Sequence, residues 1–399
     1  MKRTLALLLA LVMLVALAAC GGKADDATGD ANTPATANKV VKIGVYEPAS
    51  GDNGAGGKQE TLGIQYANAL TPTVEIGGET YQVELVAVDN ESSTDKAASA
   101  ANTLVSSGVS VVLGSYGSGV SIAASDIFRD AGIPAIGVTC TNPQVTLENT
   151  HYFRICFLDP FQGTVLANFA AETFGAQKAY VLAKLGDDYS VGLATYFQKA
   201  FEALGGEVKY ETYPEGNSDF NSYITNAKNF GAEVFAAPVS SEAAANIIEQ
   251  AASQAFTVPL FAGDTWDSNV ITGAAQGKDV SIYVTTFYQE GGSASFDAGI
   301  KEWINGNPTN LANNNGNDMI AAVSAMGFDA YYVALEALKA AGSTDSKAVN
   351  EALWDISYDG VTGHIAFDEI GDANRNEAVV KKANTATGEW DFVAIQGVN

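Results

Sequence analysis

From residue 40 onward the chain alternates short β-branched runs with longer amphipathic segments, and it does so in two successive sets. VKIGVY (41–46), QVELVAV (82–88), VSVVLG (109–114) and IPAIGV (133–138) have the Val- and Ile-rich composition of strands buried inside a parallel sheet. Between them lie segments with helical spacing. In the third of these, Val120, Ala123, Ala124, Ile127, Phe128 and Ala131 form one apolar stripe, with Ser118 as the expected N-cap and Gly132 as the end. The rhythm returns after residue 159 with AYVLAK (179–184), EVKYET (207–212), EVFAAP (233–238) and VPLFAG (258–263), followed by a strand at 280–287. Two sets of βαβ units predict an α/β fold of two doubly wound lobes. Helical segments are expected at 294–305, 319–341 and 346–355, then strand-like GHIAFD (363–368) and EWDFVAI (389–395).

A chain of 399 residues, 47 % apolar and 17 % charged, can supply a core for each lobe. Its formal charge is −25, from 46 acidic and 21 basic residues, which argues against nucleic acid or an anionic membrane surface as the main partner.

The N-terminus reads as an export signal. Lys2 and Arg3 precede an unbroken apolar run, residues 4–19, which is short for a membrane span. It ends in Leu17-Ala18-Ala19-Cys20-Gly21, which resembles a bacterial lipobox: residues 1–19 would be a lipoprotein signal peptide and Cys20 the lipidated residue. A free cysteine in an ordinary signal or anchor helix is the alternative. Residues 20–39 are small, polar or helix-breaking and read as a flexible tether, with a coil dimension on the order of 25 Å. The remaining cysteines, Cys140 and Cys156, form no disulfide framework, and whether they pair is open. There is no CxxC, and neither His151 nor His364 has a metal-ligand spacing, so no metal or cofactor is expected.

Ligands of open parallel sheets bind beyond the carboxyl ends of strands, so the loops there are the ones expected to carry chemistry. GVYEPASGDNGAGGKQE (44–60) is glycine-rich and follows a strand, yet it fits neither phosphate-binding pattern. With Gly51 as the first glycine of a P-loop, Gly57 falls where the lysine belongs, and Gln59 replaces the magnesium-binding hydroxyl. A dinucleotide fingerprint starting at Gly54 would need glycine at 59. What remains is a strand ending in Glu47-Pro48, a wide turn and a helix starting near Gly57. In GSYGSGVS (114–121), Ser118 sits at a helix N-terminus, either as a plain cap or as a hydroxyl offered to an anion. In VTCTNP (138–143), Thr139 and Thr141 share one side of the extended chain; they are ligand contacts or part of a solvated turn.

Taken together, VKIGVYEPASG, GSYGSGVSIAASDIFRDAGIP and TCTNP resemble the first lobe of the leucine/isoleucine/valine-binding protein family, type I periplasmic-type solute-binding proteins of ABC importers. FRICFLDPFQG (153–163) is similar to that family's crossover into the second lobe. AGDTWDS (262–268), GFDAY (327–331) and GHIAFDEIGD (363–372) resemble later landmarks, so the likeness runs from about 41 to 395.

The resemblance implies a Venus-flytrap of two lobes joined by a three-strand hinge. Residues 40–158 with 288–368 would form the N-terminal lobe, and 159–287 with 369–399 the C-terminal lobe. It implies that Ser118 and Thr141 hold an amino acid's α-carboxylate, that the Thr139 carbonyl and Asp264 receive its ammonium, and that Tyr189 closes over it. Asp159 would brace the site or form an Asp-Pro hinge turn. Two departures concern the ligand's side chain: Gly56 stands where relatives often carry an aromatic, and Ser240 or Ser241 where they carry a tyrosine. Glu47, Tyr116, Trp266 and Tyr288 are candidates to line the pocket instead, with Trp266 and Tyr288 equally readable as core aromatics. Glu47 is costly to bury unpaired, which suggests a cationic or hydrogen-bonding ligand.

The expected function is an extracytoplasmic lipoprotein, monomeric and anchored only by its lipid. It captures an amino acid, branched-chain or related, and delivers it to an ABC permease and its ATPase. The alternatives are a ligand sensor for a receptor, or capture of another small carboxylate or amide. No Ser-His-acid set or nucleophile elbow is present, so no enzyme is expected.

Overall fold

The computed structural model describes residues 39–398, so the expected signal, the lipidation site Cys20 and nearly all of the tether lie outside the described residues. The first lobe is built on β1 (Lys39–Glu47), α1 (Gly54–Leu70), β2 (Thr73–Ile76), β3 (Glu79–Asp89), α2 (Thr94–Ser107), β4 (Val111–Leu113), α3 (Ser118–Asp130), β5 (Ala135–Gly137) and β6 (Tyr152–Arg154). The second follows with α4 (Asp159–Phe174), β7 (Lys178–Lys184), α5 (Asp188–Ala203), β8 (Glu207–Tyr213), α6 (Asn221–Phe230), β9 (Val234–Ala236), α7 (Ser241–Ser253), β10 (Leu260–Ala262), α8 (Asn269–Ala275) and β11 (Ile282–Thr286). The chain then adds α9 (Ala294–Asn305), α10 (Pro308–Asn313), α11 (Ala322–Ala341), α12 (Ser346–Leu353) and the hairpin β12 (Ser357–Gly360) and β13 (Gly363–Ala366). It ends in β14 (Glu377–Asn384) and β15 (Glu389–Gly397).

The first sheet has the order β2-β3-β1-β4-β5-β6, parallel except for the antiparallel edge strand β2. The second has the order β15-β14-β11-β10-β9-β7-β8, a parallel sheet extended by two antiparallel strands. The two doubly wound lobes expected from the strand rhythm are therefore present. Four strands escaped the sequence reading, β2, β6, β12 and β14: two are of three or four residues at a sheet edge, one forms a detached hairpin, and β14 carries two lysines that mask its strand pattern.

Each sheet is covered on both faces, which is why its strands read as continuous apolar runs. In β1, Ile43 and Val45 enter one core with Ile64 of α1 and Leu335 of α11, while Tyr46 enters another with Leu104 of α2 and Phe128 of α3. In the second lobe, Leu182, Phe235 and Leu260 pack with Ile247 of α7, and Val181, Ala236 and Phe261 pack with Phe169 of α4 and Phe197 of α5. Each large side chain so buried contributes about 1.5–3 kcal/mol.

Two glycines set the contact between α1 and α11. A Cβ at Gly63 would lie 1.9 Å from the Ser324 carbonyl oxygen, and one at Gly327 would lie 2.3 Å from that of Glu60. The bare backbones let the helices touch, and the Ser324 hydroxyl donates to the Gln59 carbonyl at 2.7 Å. This close seat fixes Gln59 and Glu60 beside the ends of the first-lobe strands.

Connections reverse direction between β1 and β4 in the first sheet, and between β7 and β9 in the second. Beyond these switch points the loops after β1, β4 and β5 face those after β7, β9 and β10, and the cleft lies between them.

Candidate functional site

The loop after β5 owes its shape to one buried cation. Arg154, fully buried at the end of β6, donates through Nη1 to the carbonyls of Cys140 (3.0 Å) and Asn142, and through Nη2 to the Thr146 hydroxyl (3.0 Å). Its Nε donates to Asp372 Oδ1 at 2.8 Å, and the ion pair closes at 2.7 Å. Thr139 and Thr141 thus stand on a loop whose Cys140 and Asn142 carbonyls are held by the guanidinium. Cys140 and Cys156 are both buried free thiols, so no disulfide shares this task.

Ser118 is the first helical residue of α3 rather than its cap, which is Gly117. Its hydroxyl accepts from the Asn142 amide at 3.2 Å, tying the loop after β4 to the loop after β5. Thr141 is fully buried and its hydroxyl has no hydrogen-bond partner. The Asp159 amide donates to the Thr141 carbonyl at 2.9 Å. Asp159 itself starts α4, buried, with both carboxylate oxygens unpartnered; burial raises its pKa to about 8. It is a helix start rather than a free hinge turn.

From the second lobe, Asp264 opens a 3-10 turn after β10. Its Oδ1 accepts from Gln162 Nε2 (3.1 Å) and the Tyr189 hydroxyl (3.3 Å), and burial raises its pKa to about 7. The Tyr189 hydroxyl also lies 3.2 Å from Thr265 Oγ1. Asp267, three residues on, has its own cation: Lys381 of β14 reaches it at 2.9 Å, and the Thr286 hydroxyl donates to it at 2.7 Å.

The lobes touch across the cleft. Tyr116 donates its hydroxyl to the Thr265 carbonyl at 3.2 Å, Asn142 Nδ2 donates to the Asp188 carbonyl at 2.8 Å, and Lys184 pairs with Asp52 at 2.6 Å. The cavity left between them is about 50 Å³, lined in part by Tyr116, Ser118, Tyr189, Ser240 and Thr265.

Other sequence candidates are redistributed by the fold. Trp266 is fully buried in the second-lobe core and gives its indole N–H to the Val239 carbonyl at 3.0 Å, so it packs rather than lines the cavity. Tyr288 is packed with Tyr66 and Phe296 and donates to Asp297 at 2.6 Å, likewise in a core. Ser240 caps α7 and reaches the cavity wall where a tyrosine was expected from the family pattern. α1 starts at Gly54 rather than near Gly57, which places Gly56 inside its first turn. A Cβ at Gly56 would lie 2.4 Å from the Tyr116 ring. Tyr116, from the loop after β4, fills the space beside Gly56.

The sequence reading missed Glu60. It lies on the buried stripe of α1 with Gly56, Gly57, Gly63 and Ile64, and that spacing was the available signal. Thr139 donates its hydroxyl to Glu60 Oε2, and the Tyr116 amide donates to Glu47 Oε2 at 2.7 Å. The two carboxyls are within hydrogen-bond reach of each other, and burial pushes both above the usual carboxylate range. Neighbouring carboxyls so placed resist ionising together.

Among the described residues no group of acids, histidines and cysteines is arranged to hold a metal ion, and no helix is long and apolar enough to cross a membrane.

A family model described as periplasmic binding protein matches residues 40–386. A Leu/Ile/Val-binding protein homolog 2 of Brucella abortus is 30 % identical over 384 residues, spanning 92 % of this chain and 94 % of that protein. Among solved structures, a leucine binding protein from Thermotoga maritima superposes with a TM-score of 0.78 at 32 % identity, covering 90 % of this chain and 99 % of that one. A branched-chain amino acid transporter substrate binding protein from Streptococcus pneumoniae, in complex with isoleucine, superposes with a TM-score of 0.76 at 26 % identity, covering 90 % and 99 %.

Proposed function

This chain belongs to the periplasmic binding protein family, in its leucine/isoleucine/valine-binding branch, and on that premise we propose that it captures an amino acid in the interlobe cleft and hands it to an ABC permease. The family and its structural relatives are solute-binding proteins, not enzymes. The observation that carries the reading is the opposed chemistry of the two cleft walls. Ser118 at the start of α3 and the unpartnered Thr141 hydroxyl offer donors on one side. Asp264, oriented by Gln162 and Tyr189, offers acceptors on the other. A zwitterion spans such a gap, carboxylate to the first lobe and ammonium to the Thr139 carbonyl and Asp264, with charge-assisted bonds strengthened in a closed, dry site.

In this reading the lobes hinge about the segments between 40–158 with 288–368 and 159–287 with 369–399. The closed form is favoured by contacts available to ligand only there. Cys20 carries the lipid that keeps the protein outside the cytoplasmic membrane, within reach of its permease.

A thermal-shift screen of the purified protein against the amino acids tests this. A ligand at a hundred times its dissociation constant stabilises by about 2.7 kcal/mol. Asp264→Asn is expected to weaken the best hit by about 1.5–3 kcal/mol. No shift with any amino acid, or unchanged affinity in the variant, would refute the assignment.

A further inference from the structure

The cleft holds more acceptors than an ordinary zwitterion can use. Glu47, Glu60, Asp159 and Asp264 are all at least nine-tenths buried, and none has an ion-pair partner among the described residues. The two buried cations nearby are committed elsewhere, Arg154 to Asp372 and to the loop after β5, and Lys381 to Asp267. Lys184 at the rim is held by Asp52 and Glu215. Five acceptor atoms in this layer have no partner: Glu47 Oε1, Glu60 Oε1, both oxygens of Asp159, and Gln162 Oε1. Against them stands a single unpartnered hydroxyl, that of Thr141. A branched aliphatic side chain would offer these atoms nothing, and leaving buried acceptors unmade costs about 1–3 kcal/mol each.

Resting on the amino-acid reading above, we propose that the ligand's side chain ends in a cation, an ammonium or guanidinium, received by the Glu47 and Glu60 carboxyls beside Tyr116. One oxygen of each carboxyl is already fixed, by the Tyr116 amide and the Thr139 hydroxyl, so the pair is held in place with its other oxygens lacking any partner outside the pair. The Tyr116 ring, packed against Gly56, forms the apolar wall along which the side-chain stem runs. A bound cation favours the ionised form of the pair, so binding weakens as pH falls. The charged or titratable groups facing the pair are Tyr46, Tyr116, Cys140, Tyr152 and, across the cleft, Asp264.

The test is titration calorimetry of the purified protein with lysine, arginine, leucine and isoleucine at pH 6 and 8. Lysine or arginine is expected to bind about ten- to a hundredfold tighter than leucine, the worth of one charge-assisted bond, with the gap narrowing at the lower pH. Glu47→Gln and Glu60→Gln are expected to erase most of that preference, with melting of the ligand-free variants checking that they fold. Leucine or isoleucine binding as well as or better than the basic pair overturns this inference and leaves the proposed function standing. Variants that melt differently yet keep the basic-to-neutral ratio also overturn it, because the carboxyl pair is then structural. Absence of binding by all four, and by the other amino acids, overturns both.

Discussion

The two walls of the cleft share a topology and differ in chemistry. The first lobe brings hydroxyls, a helix start and a buried carboxyl pair to its side; the second brings a phenol, an amide and one carboxylate. Each lobe also buries one cation, and in neither is it left facing the ligand space: Arg154 supports the loop of Thr139 and Thr141, and Lys381 neutralises Asp267. The paired acids therefore hold scaffold, whereas the unpaired ones remain available to something that arrives.

That contrast is open to attack, first at Arg154. Replacing it with Met strands Asp372 and frees the carbonyls of Cys140 and Asn142, for an expected loss of about 3–5 kcal/mol in chemical denaturation. Adding Asp372→Asn should recover part of the loss, since no lone buried charge then remains. Lys381→Met should destabilise comparably yet disturb ligand affinity less, because Lys381 supports no loop of hydroxyls. Equal losses of affinity would erase the distinction between the lobes.

The next expected effect is on pH. In the ligand-free protein Asp159 and Asp264 hold their protons to about 8 and about 7, against a usual 3.8, because burial disfavours their charged forms. The unfolded chain releases those protons near pH 4 and the folded chain does not, so the folded state is the one that binds more protons between. Stability should fall as pH rises through roughly 4 to 8. Melting of the ligand-free protein should drop by several degrees across that window, and Asp159→Asn should flatten the slope. A rising profile would mean the unpaired acids are ionised and satisfied without ligand.

The smallest expected effect is at Gly56. Gly56→Ala drives a methyl into the Tyr116 ring, for a loss of about 1–3 kcal/mol that Tyr116→Ala should largely cancel. An undiminished loss in the double variant would show that the first loop does not depend on the ring for its packing.

Much of the fold was legible because strand and helix periods are local. The apolar runs of β1, β4, β7 and β11 and the stripe of α3 announced themselves, whereas β14 did not, since its Lys381 serves an acid more than a hundred residues away in sequence. At the candidate site, topology points to the residues at strand ends, whereas Glu60 shows itself only by its place on the buried stripe of α1, since a carboxyl on a helix otherwise reads as a surface one. Trp266 and Tyr288 show the converse: both sit near cleft landmarks in sequence and both turn into cores.

Two doubly wound lobes, the loops that could meet a ligand and the misfit of the glycine-rich turn to a phosphate site are all readable in short stretches of the chain. Backbone period and loop stereochemistry depend on neighbours a few residues apart, so they are written locally. That Tyr116 fills the space beside Gly56, that Arg154 and Lys381 are already paired, and that Glu47 meets Glu60 follows from packing across the whole chain. Burial and charge pairing depend on which distant elements are brought together, and that is fixed only when the lobes pack.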